Sequence, residues 1–111
     1  MLKESRKELA ELLGAIPFLP ERINPPVTLI SPAYPYVVIE TSTDYVANYA
    51  ITVVVARQES ELANDALDDQ IEYVLDHLPS DATLNDVEVP FLLEWNNGTY
   101  LATKINIERP L

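Results

Sequence analysis

The chain contains no cysteine, which excludes a disulfide framework, a thiolate metal site and a cysteine nucleophile. Only two glycines occur, Gly14 and Gly98, so the glycine-rich loops that cradle phosphate or expose a nucleophile at a sharp turn have no material here. His77 is the one histidine, and no zinc-ligand spacing surrounds it. Bases are scarce, seven Lys and Arg against eighteen Asp and Glu, for a net charge of −11. No apolar run approaches the roughly 20 residues that span a bilayer. Residues 1 to 8 alternate in charge with no apolar stretch behind them, so the expectation is a soluble, unexported protein with no membrane partner.

What is present points to one packed domain. The 111 residues are 48% hydrophobic, enough for a core and too apolar for disorder. The charge is unevenly placed. Residues 1 to 39 sum to zero, and residues 95 to 111 to +1. Residues 40 to 94 hold thirteen acids and one base, Arg57. Phosphate approaching such a stretch meets repulsion in place of counterion release, which argues against tight nucleic-acid binding.

Six of the nine prolines fall between Pro17 and Pro35. Each fixes its own φ, removes a backbone donor and pushes the preceding residue toward extended geometry. Because apolar residues sit between them, residues 14 to 35 read as a shaped connector packed along a surface. Within it, Val27 to Ile30 is a short first or edge strand, and Tyr36 to Glu40 extends it after a break. Residues 3 to 13 read as a helix with Leu9, Ala10, Leu12 and Leu13 on its apolar side, closed by Gly14.

Residues 45 to 56 alternate as a strand rich in β-branched and aromatic residues. Both faces turn apolar toward its end, which calls for a helix over one and another subunit or a loop over the other. Residues 61 to 78 read as a second helix: Leu67, Ile71, Val74, Leu75 and Leu78 form its stripe, and Pro79 stops it. Residues 87 to 107 read as a hairpin around Asn96-Asn97-Gly98, in a register that sets Trp95 opposite Thr99 and Leu93 opposite Leu101. The predicted fold class is α+β: a mainly antiparallel sheet of four or five strands with two packed helices, in a single domain, residues 1 to 111.

No arrangement of residues specifies a reaction. Asp65, Asp68, Asp69 and Glu72 could gather around a hard cation, but calcium sites usually fold a loop around the ion, and helical carboxylate sites usually add a Glu-x-x-His that is missing here. Together with Asp76 these acids read better as a solvated face opposite the apolar stripe. His77 in the last helical turn fits a helix C-terminus. No catalytic, cofactor-binding or metal-binding residue is assigned. The better functional candidates are Tyr34, Pro35 and Tyr36 with Pro25 and Pro26, which would make a low-entropy contact surface for another protein. Tyr49 and Trp95 read as core.

The helix ending in Leu12-Leu13-Gly14, the run Leu19-Pro20-Glu21-Arg22-Ile23-Asn24-Pro25-Pro26, Ser31-Pro32-x-x-Pro35-Tyr36, the helix carrying Leu67-Asp68-Asp69, and Gly98-Thr99-Tyr100-Leu101-Ala102 together resemble the small tail proteins of actinobacterial long-tailed bacteriophages. Within that group the chain is most similar to the tail terminators, or tail-completion proteins. The resemblance spans essentially the whole chain and rests on structural motifs. It implies a structural virion protein and no enzyme: a homo-oligomeric ring, typically a hexamer, at the head-proximal end of the tail, assembled in the host cytoplasm. That ring would cap the tail tube protein, stop its polymerisation and present a docking surface to a head completion or connector protein in head-tail joining. No cofactor is implied. The acids Asp65, Asp68, Asp69, Glu72 and Asp76 would then line the lumen or the rim of the ring. Two other readings stand beside it: a head-tail connector or other minor tail ring protein, and an acidic inhibitor that mimics DNA.

Overall fold

The computed structural model describes residues 1–57 and 59–111. Along the chain lie α1 (Leu2–Leu13), β1 (Val27–Ile39), β2 (Tyr45–Ala56), α2 (Glu61–His77), β3 (Thr83–Val87), β4 (Phe91–Trp95) and β5 (Gly98–Pro110). The strands form one antiparallel sheet in the order β1-β2-β5-β3, with β4 also paired to β5. This is an α+β domain of two helices on a five-stranded sheet.

The alternation in β2 decides the layering. Ala47, Tyr49, Ile51 and Val53 point to the face that carries both helices, where they meet Leu9, Ala10 and Leu13 of α1 and Ala63, Leu67 and Val74 of α2. Val54 points the other way, into a second cluster with Ile23, Leu29, Tyr100 and Ala102. Toward its end the strand is thus buried on both sides, and the chain's own residues provide the second cover there. α1 ends at Gly14, whose φ of +62° closes the helix in the left-handed conformation. Leu12, expected on the apolar side, is 42% exposed, because the buried stripe runs through Leu9, Ala10 and Leu13. α2 starts at Ser60, whose hydroxyl accepts from Ala63 N–H at 3.1 Å. It stops where Leu78 turns extended ahead of Pro79.

The proline stretch departs from its sequence reading. The connector ends at Pro26, and from Val27 the chain is strand through Pro32 and Pro35 to Ile39. Ile16 lies against the outer edge of β1: its N–H donates to Thr28 O and its own O accepts from Ile30 N–H, at 2.8 and 2.9 Å. The outward-facing backbone groups therefore belong to Thr28 and Ile30. Pro32 keeps that parity, so its missing N–H is one that pairing with β2 never requires. The break expected before Tyr36 is a register shift between Pro32 and Val37.

The hairpin register also differs. Trp95 lies opposite Gly98 and Leu93 opposite Tyr100, around a two-residue Asn96-Asn97 turn. Gly98 takes a φ of +152°, a region that favours glycine. The change places Leu93 and Tyr100 together in the second cluster and sends Leu101 to the helix side. The expected first arm from Val87 is two strands, β3 and β4, which pair with the same edge of β5 and are separated by residues 88 to 90, where Glu88 N–H still donates to Lys104 O at 2.9 Å and Pro90 has no N–H to give.

Candidate interaction surface

The second face of the sheet is divided into a covered half and an open half. The cover is the segment between Pro17 and Pro26. Ile23 drives its side chain into the second cluster and is 1% exposed. Asn97 treats the backbone of Ile23 as a neighbouring strand would: its Nδ2 donates to Ile23 O at 3.0 Å, and its Oδ1 accepts from Ile23 N–H at 3.4 Å. The indole N–H of Trp95 donates to Pro20 O at 2.9 Å, and the Tyr100 hydroxyl reaches Ile23 O at 3.5 Å. Two strand residues, Trp95 and Tyr100, and one turn residue, Asn97, thus hold an otherwise unpaired segment flat on the sheet.

The open half lies at the Tyr49 end of β2. There Ser31 to Pro35 form one wall, Asn85, Asp86 and Glu88 the other, and Asn48, Ala50, Lys104 and Asn106 the floor of a trough of about 610 Å³. Tyr34 stands wholly clear of the protein, 100% exposed. Its neighbour is anchored: Asn48 Nδ2 donates to Pro35 O at 2.8 Å. Tyr36 turns inward and meets Tyr49 edge-on, with ring centres 6.0 Å apart. Burial pushes the Tyr49 phenol above its ordinary pKa, and its hydroxyl has no hydrogen-bond partner among the described residues. On the opposite wall Asn106 Nδ2 donates to both Asp86 Oδ1 and Glu88 Oε2, at 2.6 and 2.8 Å.

The five candidate contact residues do not form one patch. Tyr34, Pro35 and Tyr36 share the bulge of β1, whereas Pro25 and Pro26 enter that strand at its other end, beside Val54. Asp65, Asp68, Asp69, Glu72 and Asp76 are all exposed on α2. Among the described residues no three His, Cys, Asp or Glu side chains come together as metal ligands. His77 donates from Nδ1 to Tyr73 O at 2.7 Å and stacks on the Tyr73 ring.

Two groups that organise this surface carry no local signal in the sequence. Asn97 reads as an ordinary turn residue, and its partner is 74 positions away. Arg109 lies 7% exposed at the end of β5, where it donates to Glu8 Oε1 at 2.7 Å, Asp81 Oδ1 at 3.0 Å and Ser5 O at 3.3 Å. Burial opposes its charge, but the two carboxylates outweigh that and hold its pKa above the ordinary value. It thereby ties α1, the turn after α2 and the last strand together. No family model matches this chain, and no curated protein matches it in sequence.

Proposed function

We propose that the protein is a structural subunit of a phage tail: a tail terminator that assembles into a ring, caps the tail tube, stops its growth and offers a surface to the head connector. The observation that carries this reading is the Tyr34 knuckle, a wholly exposed tyrosine beside an anchored proline on an edge strand, next to an uncovered half of the sheet. Apolar and aromatic area in such a place lowers the entropy cost of an interface because the backbone beneath it is already fixed. The acidic face of α2 is solvated in the subunit and suits a lumen or a rim, where like charge keeps DNA from adhering.

Electron microscopy of tails assembled with and without the protein tests the reading directly. Tubes that overgrow in its absence and regain a fixed length on its addition support it; tubes of unchanged length without it reject it. Solution mass separates the DNA-mimic class. Six 12.5 kDa chains would form a particle of ~75 kDa, whereas a mimic works as one or two chains.

A further inference from the structure

We infer that the trough on the open half of the sheet receives α1 of a second copy of this chain, packed front to back. The inference rests on the ring reading for its biological setting, and on the following geometry for its content. The trough runs between β1 and β3 across β2 and β5. Three interstrand spacings make it about 14 Å from wall to wall. An α-helix with its side chains is roughly 10–12 Å across, so the open half is wide enough to seat one. Its floor residues Ala50, Asn48 and Asn106 are short enough to let a helix approach.

Charge selects which helix. Asp86 and Glu88 on the trough wall share the amide of Asn106, a neutral donor. Neither forms an ion pair among the described residues. The one base in the lining, Lys104, holds its ammonium 5.9 Å from the centre of the Phe91 ring. The wall is therefore an uncompensated negative site in a protein with few bases to offer. α2 presents Asp65, Asp68, Asp69, Glu72 and Asp76 outward and would be repelled.

α1 presents the opposite sign. Although its side-chain charges cancel, Lys3, Arg6 and Lys7 against Glu4, Glu8 and Glu11, Glu8 is taken by Arg109 at 2.7 Å and Glu4 by the Met1 ammonium at 2.7 Å. Lys3 and Lys7, one turn apart and both exposed, have no ion pair among the described residues. Internal pairing thus leaves two free cations on the first two turns of the outer face, ahead of Glu11, which is exposed and has no ion pair among the described residues. Charge across such a contact sets encounter rate and register.

The placement of donor and receptor fixes the symmetry. α1 lies on the helix-bearing face and the trough on the opposite face, so each copy uses two different surfaces. A contact of that kind is heterologous and propagates from copy to copy, forming a closed ring where the rotation per step allows it.

The absence of cysteine makes the test clean. Two single variants, Lys7→Cys in the outer stripe of α1 and Asn85→Cys on the trough wall, are oxidised separately and as a mixture. The contact predicts a disulfide-linked heterodimer in the mixture well above the homodimers in either variant alone, and a ladder of 12.5 kDa steps from a chain carrying both substitutions. A mixed band no stronger than the homodimers overturns the proposal. In the second arm, Lys3→Glu with Lys7→Glu lowers self-association, read by light scattering at low salt, about tenfold. Asp86→Lys with Glu88→Lys does the same, and mixing the two proteins restores association. All four positions are exposed, and a circular dichroism spectrum verifies that each variant folds. Failure of the mixture to associate overturns the proposal. A trapped Lys7–Asn85 pair in a protein whose removal leaves tail length unchanged would keep this contact and reject the terminator reading; length control without the trapped pair would do the reverse.

Discussion

The two halves of the proline-rich stretch obey the same backbone rules and come to opposite ends. Between Pro17 and Pro26 the chain is pinned to the sheet by one buried side chain, Ile23, and by side-chain hydrogen bonds from Trp95, Asn97 and Tyr100. Between Pro32 and Tyr36 the chain is itself a strand, and it lifts Tyr34 entirely into solvent. Proline removes a donor in both. In the first half the loss leaves a segment that no neighbouring strand can hold, so distant side chains replace the ladder. In the second the donor of Pro32 would have pointed away from β2, so pairing holds as far as Pro32 and resumes at Val37, and the bulge between them is free to project. Proline density alone therefore does not say whether a segment is cover or contact; the parity of each proline relative to its neighbour does.

The largest way to break the contrast is Ile23→Ala, which empties the anchor of the covered half. We expect a loss of ~2–5 kcal/mol in urea unfolding, with a change in the emission of Trp95, the only tryptophan. Asn97→Ala comes next. It leaves the Ile23 N–H without its partner and the Ile23 C=O with only the 3.5 Å contact from the Tyr100 hydroxyl, at a cost of ~1–3 kcal/mol by the same measurement.

A smaller effect is expected where the projecting half touches the core. Tyr49→Phe removes a buried hydroxyl that has no hydrogen-bond partner among the described residues, so stability near neutral pH should be unchanged or raised by up to ~1 kcal/mol. The sign with pH follows from the raised phenol. Folded Tyr49 keeps its proton after the unfolded chain has lost it, so the unfolded state binds fewer protons above pH 10.0, the ordinary value, and stability falls there. Alkaline denaturation of Tyr49→Phe should lack that component of the fall. The smallest effect on folding belongs to Tyr34→Ala, within ~0.5 kcal/mol. If Tyr34 is the contact proposed above, the same variant should still weaken self-association in sedimentation velocity, which separates contact from cover in one substitution.

Much of the fold was readable from local pattern. The alternation from Tyr45 gave β2 its limits, the stripe from Leu67 to Leu78 and Pro79 gave α2, and Gly14 marked the end of α1. What local pattern could not supply was parity across distance. The register of β4 against β5 is set by packing Tyr100 and Leu93 beneath Ile23, a contact spanning most of the chain. With that residue's position unknown, a three-residue loop pairing Leu93 with Leu101 satisfied the same hydrophobic rule on the wrong face. Local pattern breaks β1 after Ile30 and resumes it only at Tyr36 for a related reason, since Pro32 signals a stop unless the edge it faces is known. At the surface, Tyr34 to Tyr36 stood out by residue type. Asp86 and Glu88 did not, because two acids among the thirteen of residues 40 to 94 carry no mark until a fold brings them to one wall.

β5 has a further consequence, for the order in which the protein can be made. It is the last strand and pairs with β2, β3 and β4, so the centre of the sheet leaves the ribosome after both of its flanks. Until residues 98 to 110 emerge, β1 and β2 are a two-stranded ribbon with one apolar edge unpaired, and α1 has no Arg109 to hold it. Such ribbons are marginal alone, and an open edge invites pairing with another chain. Shortening the chain by its last dozen residues would leave every preceding element in the sequence and no sheet for them to join.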